Sequence, residues 1–140
     1  MSRTTELKVT AGPFRFAARL ETALAPQTCA YFASLLPYRQ KLIHVRWSGE
    51  ACWIPLGDKN VSFSFENATS YPAPGQLIFY PGGFSETEIL LAYGGVRFAS
   101  KLGQLAGNHF LTLTDGLDKL PELGRLTLWE GAQDVLFEMY

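Results

Sequence analysis

The sequence lacks most of the features that announce a function. Its two cysteines, Cys29 and Cys52, form neither a C-x-x-C pair nor a metal-spaced cluster with His44 or His109. Such usage offers no disulfide framework and no metal site, and is that of two reduced, buried thiols in the cytoplasm. Neither charge is in excess: 12 Lys and Arg stand against 13 Asp and Glu, for a net charge of -1. No electrostatic footprint of a nucleic-acid or acidic-membrane partner follows from that balance. No apolar run approaches the ~20 residues of a membrane span. Met1-Ser2-Arg3-Thr4-Thr5-Glu6 leads straight into an alternating pattern with no signal-peptide core. Thirteen glycines make neither Gly-x-Gly-x-x-Gly nor Gly-x-x-x-x-Gly-Lys, so no phosphate cofactor is indicated. The expectation is a cytoplasmic protein without cofactor or metal, whose partner is neither nucleic acid nor membrane.

What is present is a folded core. Hydrophobic residues make up 47% of the chain and charged ones 18%, the reverse of a disordered composition. A length of 140 residues fits one domain, here residues 1–140, able to fold without disulfides. Leu7, Val9 and Ala11 alternate with polar neighbours, Gly12-Pro13 turns the chain, and Phe14, Phe16, Ala18 and Leu20 alternate again. That is an antiparallel hairpin. Pro26 suits a first helical turn, Ala30, Phe32, Ala33, Leu35 and Leu36 follow at helical spacing, and Pro37 stops the helix.

Strands are then expected over residues 40–47 and 50–56, at Val61–Phe65, at 77–80, and at 88–93 until Gly94-Gly95 ends the last of them. Residues 96–107 read as a long surface loop, and His109 to Thr114 as a further strand. Asp115 to Leu120 reads as a short second helix closed by Gly124. Leu126–Trp129 and Val135–Met139 read as a closing hairpin about Glu130-Gly131-Ala132. Several short strands with Gly and Pro punctuation, and two helices, predict a mainly β sandwich or barrel.

That order of elements resembles the cyclophilin fold, a closed antiparallel β-barrel with two helices. Leu24-Ala25-Pro26-Gln27-Thr28, Leu35-Leu36-Pro37 and His44 through Glu50 carry the resemblance in the first half. Ala73 through Leu77, Tyr93-Gly94 and Leu128-Trp129-Glu130-Gly131 carry it in the second. These pieces look more like the bacterial cyclophilin-like families of unknown function than like true prolyl isomerases. In the isomerases the catalytic arginine lies on the strand after the first helix, in a Phe-His-Arg context; Arg46 in Ile43-His44-Val45-Arg46 is its best match, with one extra residue before it. The isomerase segment Phe-Met-x-Gln-Gly-Gly-Asp is replaced by Ala51-Cys52-Trp53-Ile54-Pro55-Leu56, so its glutamine is missing. Gly107-Asn108-His109-Phe110-Leu111 resembles the stretch that supplies the isomerases' pocket phenylalanine.

Six residues form the expected ligand pocket. The planar fork of Arg46 can clamp a carbonyl or carboxylate, or can pair on the surface with Glu50. His44 shares its face in an unbulged strand, where an imidazole permits acid–base work, or serves as a hydrogen-bonded structural histidine. Arg97 stands in the expected loop, where binding residues often sit, or only solubilises it. Tyr80 places a phenol at a strand end beside Pro81-Gly82-Gly83, a pocket mouth or simple turn chemistry. Asn108 either caps backbone or meets a ligand, and Phe110 is core or pocket floor. Glu86 and Glu88 share a strand face and read as solvated. The expected function is binding of a small molecule or short peptide; weak prolyl isomerisation, or another enzyme acting on a small amide or carboxylate, is one alternative, and an accessory subunit of a larger enzyme another. Apolar Val135, Phe137 and Met139 beside Tyr140, with ten Phe, six Tyr and three Trp, point to a homo-oligomer.

Overall fold

A computed structural model describes residues 5–140. The opening pattern forms β1 (Glu6–Ala11) and β2 (Phe14–Leu20), joined at Gly12, whose φ of +56° suits a residue without Cβ. After α1 (Pro26–Ser34) come β3 (Tyr38–His44) and β4 (Gly49–Gly57). The remaining strands are β5 (Ala68–Thr69), β6 (Gln76–Tyr80), β7 (Thr87–Val96), β8 (Ala99–Ser100), β9 (Gly103–Gln104) and β10 (Gly107–Asp115). A 3-10 turn, Leu117–Lys119, then leads into α2 (Leu120–Glu130) and β11 (Gln133–Met139).

Neighbouring strands pair in the order β2, β1, β11, β3, β4, β7, β6, β10, all antiparallel, and β10 returns to β2 with Leu111 opposite Leu20 and Leu113 opposite Ala18. The result is a closed eight-stranded barrel without free edges. Period-2 alternation sends Val9, Phe16, Phe79, Leu91, Leu113 and Phe137 inward, and all are buried. The two helices plug opposite ends. Phe32 of α1 meets Tyr38, at the start of β3, edge-on at 5.8 Å and Phe110 at 4.9 Å. Gly124 of α2 lies against the ring of Tyr93, whose hydroxyl reaches His44 at the end of β3. No helix among the described residues is long and apolar enough to cross a membrane.

Four expectations are corrected. Residues 126–129 continue α2 instead of starting a hairpin, because Leu120, Leu123, Gly124 and Thr127 make one buried helical stripe. Gly124 sits inside that helix because a Cβ there would strike Tyr93. Val61–Phe65 is no strand; Phe63 alone is buried, edge-on to Tyr31 at 5.6 Å and Phe79 at 5.0 Å. Gly94-Gly95 does not end β7, which runs on to Val96 while the Glu50 side chain lies across the glycines and accepts the Gly95 N–H at 2.8 Å. Residues 96–107 are no loose loop: β8 and β9 form a small hairpin that buries Phe98 and Leu105 on the barrel's outer surface.

Candidate functional site

That hairpin explains where a site can form. The outer faces of β4, β7 and β6 carry Ala51, Leu90, Ile78 and Tyr80, which pack with Phe98 and Leu105 into a second apolar cluster outside the barrel. Beside it opens a cleft of about 920 Å³. Its floor includes Ile43, Trp53 and Glu88, from β3, β4 and β7. Its walls are the segment after β3, the turn after β4, the turn between β6 and β7, and the β8–β9 hairpin. Two of these walls are fastened together by the buried Ser48, which donates to Ala99 O at 3.1 Å and accepts Ala99 N–H at 3.0 Å. Trp47, Phe84 and Leu102 stand on the rim, each more than half exposed.

Glu88 is the group the sequence reading missed. It is only 6% exposed, against the solvated role expected of it. Cross-strand register places it between Pro55 on β4 and Tyr80 on β6, with Trp53 diagonal to it on the same face. Its carboxyl makes no hydrogen bond or ion pair with any described residue. Burial, reinforced by the nearby negative charge of Glu86, pushes its pKa up to about 8. At neutral pH it is therefore mainly a protonated acid, able to donate one hydrogen bond and to accept others. The signal was there: Glu88 shares its face with Leu90 and Ala92, in a run too continuously apolar for a strand wet on one side.

The six expected residues divide. His44 and Arg46 both line the cleft. β3 ends at His44, so the two do not share a strand face as expected. The His44 ring is engaged on both sides, Nδ1 with Val45 O at 2.9 Å and Nε2 with the Tyr93 hydroxyl at 2.7 Å. A carbonyl only accepts, so Nδ1 donates and, in a neutral ring, Nε2 accepts from the tyrosine. Arg46 is exposed and forms no ion pair among the described residues; Glu50, the alternative partner, is held by Gly95 instead.

The other four lie outside the cleft lining. The Tyr80 hydroxyl accepts the N–H groups of Phe84 and Ser85, both at 3.1 Å, and so shapes the turn that forms one wall. Arg97 is exposed and joins the structure through its N–H to Ser48 O. Asn108 is fully buried and satisfied: its Oδ1 accepts Glu66 N–H at 3.0 Å, and its Nδ2 donates to Thr28 Oγ1 and Ser64 O. Phe110 belongs to the barrel interior, against Phe32 and Phe79. Both cysteines are buried as expected, Cys29 on α1 with its thiol near Phe110 O and Cys52 on β4 beside Thr127.

Closed barrel and two helices make a cyclophilin-like fold. A cyclophilin-type peptidyl-prolyl cis-trans isomerase from Cryptosporidium parvum, solved with the dipeptide Ala-Pro, matches with a TM-score of 0.59 at 11% identity, over 96% of this chain and 98% of that one. A hypothetical protein from Archaeoglobus fulgidus matches at 0.56 and 14%, over 99% and 98%. McbB, solved in complex with tryptophan, matches at 0.71 and 17% over 95% of this chain, which spans only 44% of McbB. At these identities the likeness is one of fold. No curated protein matches the sequence. The family itself is established by sequence: residues 7–139 match its model, and the chain belongs to DUF3830, a family of proteins of unknown function.

Proposed function

We propose that the chain binds a small organic molecule or short peptide in the outer cleft, with Glu88 as the group that fixes it. The observation that carries this reading is a buried carboxyl with no protein partner, facing a cleft whose volume lies within the ~300–1,000 Å³ usual for ligand sites. Its oxygens are not sealed off among the described residues, so the carboxyl is open to a ligand from the cleft, and groups with shifted pKa collect at functional sites. The apolar rim residues are suited to hold the ligand's body. The test is a fragment screen followed by NMR through the tryptophan indoles. Trp47 and Trp53 line the cleft, whereas Trp129 lies at the end of α2 and is the internal control. Fragments that shift the first two and leave Trp129 unmoved support the reading; a diverse library that shifts neither overturns it.

A second reading, slow prolyl isomerisation, draws on the position of Arg46 in the cleft and on the isomerase likeness in fold. Against it stands the missing glutamine. A proline-peptide isomerisation assay on the native protein and Arg46→Ala decides it: acceleration that vanishes in the variant makes the protein an isomerase, and no acceleration leaves binding alone.

A further inference from the structure

The ligand class follows from what surrounds Glu88, and it rests on the cleft being a ligand site. In register, Glu88 stands opposite Pro55 of β4, with Trp53 diagonal to it, and opposite Tyr80 of β6, whose hydroxyl oxygen already accepts two backbone N–H groups. On its own approach stands Glu86, a second carboxylate. Beyond the end of β4 the wall carries Asp58 and Lys59; across the cleft lie His44 and Arg46, and on the hairpin Lys101. None of these basic groups bonds to Glu88, and Arg46, Lys59 and Lys101 are all exposed to water. The floor of the cleft thus offers the Glu88 carboxyl and an indole with no paired cation, and the exposed Glu86 supplies the one charge among the described residues that acts on that carboxyl.

We propose that this end of the cleft is an amine site: it takes a small organic amine with an apolar body, its ammonium on the Glu88 carboxylate and its body against Trp53 and the apolar rim. An anion at Glu88 would oppose the negative charge of Glu86, and no basic group among the described residues acts on that carboxyl to offset it. A neutral carbonyl takes one hydrogen bond from protonated Glu88 and leaves the negative field of Glu86 unused. An ammonium pairs with that field, and the faces of Trp rings attract cations. The proton balance is explicit. The free carboxylic acid gives its proton to solvent as the ammonium arrives, so acid plus ammonium becomes carboxylate–ammonium pair plus one released proton. With the free carboxyl titrating at about 8, binding at pH 7 releases close to one proton.

Three probes that share a phenethyl body test this: phenethylamine, phenethyl alcohol and 3-phenylpropionate, titrated into the full chain by calorimetry in phosphate and in Tris and followed at the Trp47 and Trp53 indoles. The amine is expected to bind tightest, with heats that differ between buffers by about one proton's worth at pH 7. Its affinity is expected to rise roughly tenfold from pH 6 to pH 7 and to level off above pH 8. Glu88→Gln is expected to weaken the amine at least tenfold and the alcohol far less, because glutamine keeps a donor and an acceptor but no charge. Alcohol or propionate binding as tightly as the amine, or amine binding without proton release, overturns the amine site while the cleft remains a ligand site. No binding by any probe at millimolar concentration overturns the amine site, and the fragment screen then decides the broader reading. Because proton release and pH dependence are read on the native protein, a poorly folding variant does not rescue the idea.

Discussion

Replacing Glu88 by glutamine should make the protein less sensitive to alkali, an unusual result for removing a charged residue. A glutamate in the unfolded chain ionises near its ordinary value of 4.5, whereas Glu88 in the folded chain holds its proton to about 8. The folded state therefore binds one more proton than the unfolded state between those limits. Stability must fall as pH rises through that window, by about 1.4 kcal/mol for each pH unit. Between pH 5 and pH 8 the loss is on the order of 3 to 4 kcal/mol, a large share of the ~5–15 kcal/mol that holds a domain together. The group's contribution is complete below pH 4.5 and gone once pH has risen through 8.

Glutamine cannot ionise, so its own burial cost is the same at every pH and cancels from the comparison. Burial lowers the pKa of His109, and hydrogen bonds from Thr112 and Arg19 outweigh the burial that would raise Glu21, leaving that carboxyl below its ordinary value. Both act in the opposite sense, withdrawing stability as pH falls, and both are common to the two proteins. Thermal melts by circular dichroism at pH 5, 6, 7 and 8 measure the difference. Each kcal/mol moves the midpoint of a domain this size by roughly 3 °C. Glu88→Gln should accordingly gain about 10 °C on the native protein across the series. Parallel midpoints from pH 5 to pH 8 would falsify the picture of a buried, proton-holding Glu88, and with it the electrostatic basis of the cleft.

The remaining predictions concern the scaffold. Asn108→Ala strips partners from Glu66 N–H, Thr28 Oγ1 and Ser64 O at once; a loss of about 2–4 kcal/mol is expected by denaturant melts, with faster amide exchange at Glu66, and an unchanged Glu66 amide counts against the network. Burial raises the Cys29 thiol to about 12 and the Cys52 thiol to about 11, so native-state labelling should be far slower than in denaturant and reductant should not move the melting midpoint; rapid native labelling refutes it. Trp129 at the end of α2, and Met139 with Tyr140 at the far end of β11, are exposed, and a symmetric homo-oligomer is still the expected state; light scattering at micromolar concentration checks it, and a monomeric mass that persists on concentration refutes it.

How much of this was legible depended on whether one face or two of an element were buried. β1, β2 and the first part of β11 show one apolar face each, and period 2 located them almost to the residue. α2 was cut short because Gly124 read as its end, although the glycine stands there to let Tyr93 lie against the helix, a contact between distant residues. Phe110 and Asn108, expected in the pocket, lie outside the cleft lining and serve packing: one fills the barrel, the other ties α1 to residues 64–66. His44 and Arg46 were placed at the cleft by the resemblance, since nothing local distinguishes them from other strand-end polar residues.

Glu88 was hidden for the opposite reason. An eight-stranded barrel fills its interior with side chains, so a ligand site has to form at an end or on the outside. On the outside, a carboxylate in a strand is ordinarily wet, and alternation alone gives no cause to think otherwise. What covers the outward positions next to Glu88 is a neighbour about ten residues downstream, the β8–β9 hairpin, whose Phe98 and Leu105 pack with Ile78 and Tyr80 of β6 and Leu90 of β7. The run Ile89-Leu90-Leu91-Ala92 records that second covering, because Leu90 and Ala92 would not otherwise be apolar on an outward face. A polar residue in register with such a pair inherits their burial without their indifference to it. Beside that covering the Glu88 carboxyl opens to the cleft at a mostly buried position with no partner among the described residues, where a ligand's charge is worth more than on the open surface.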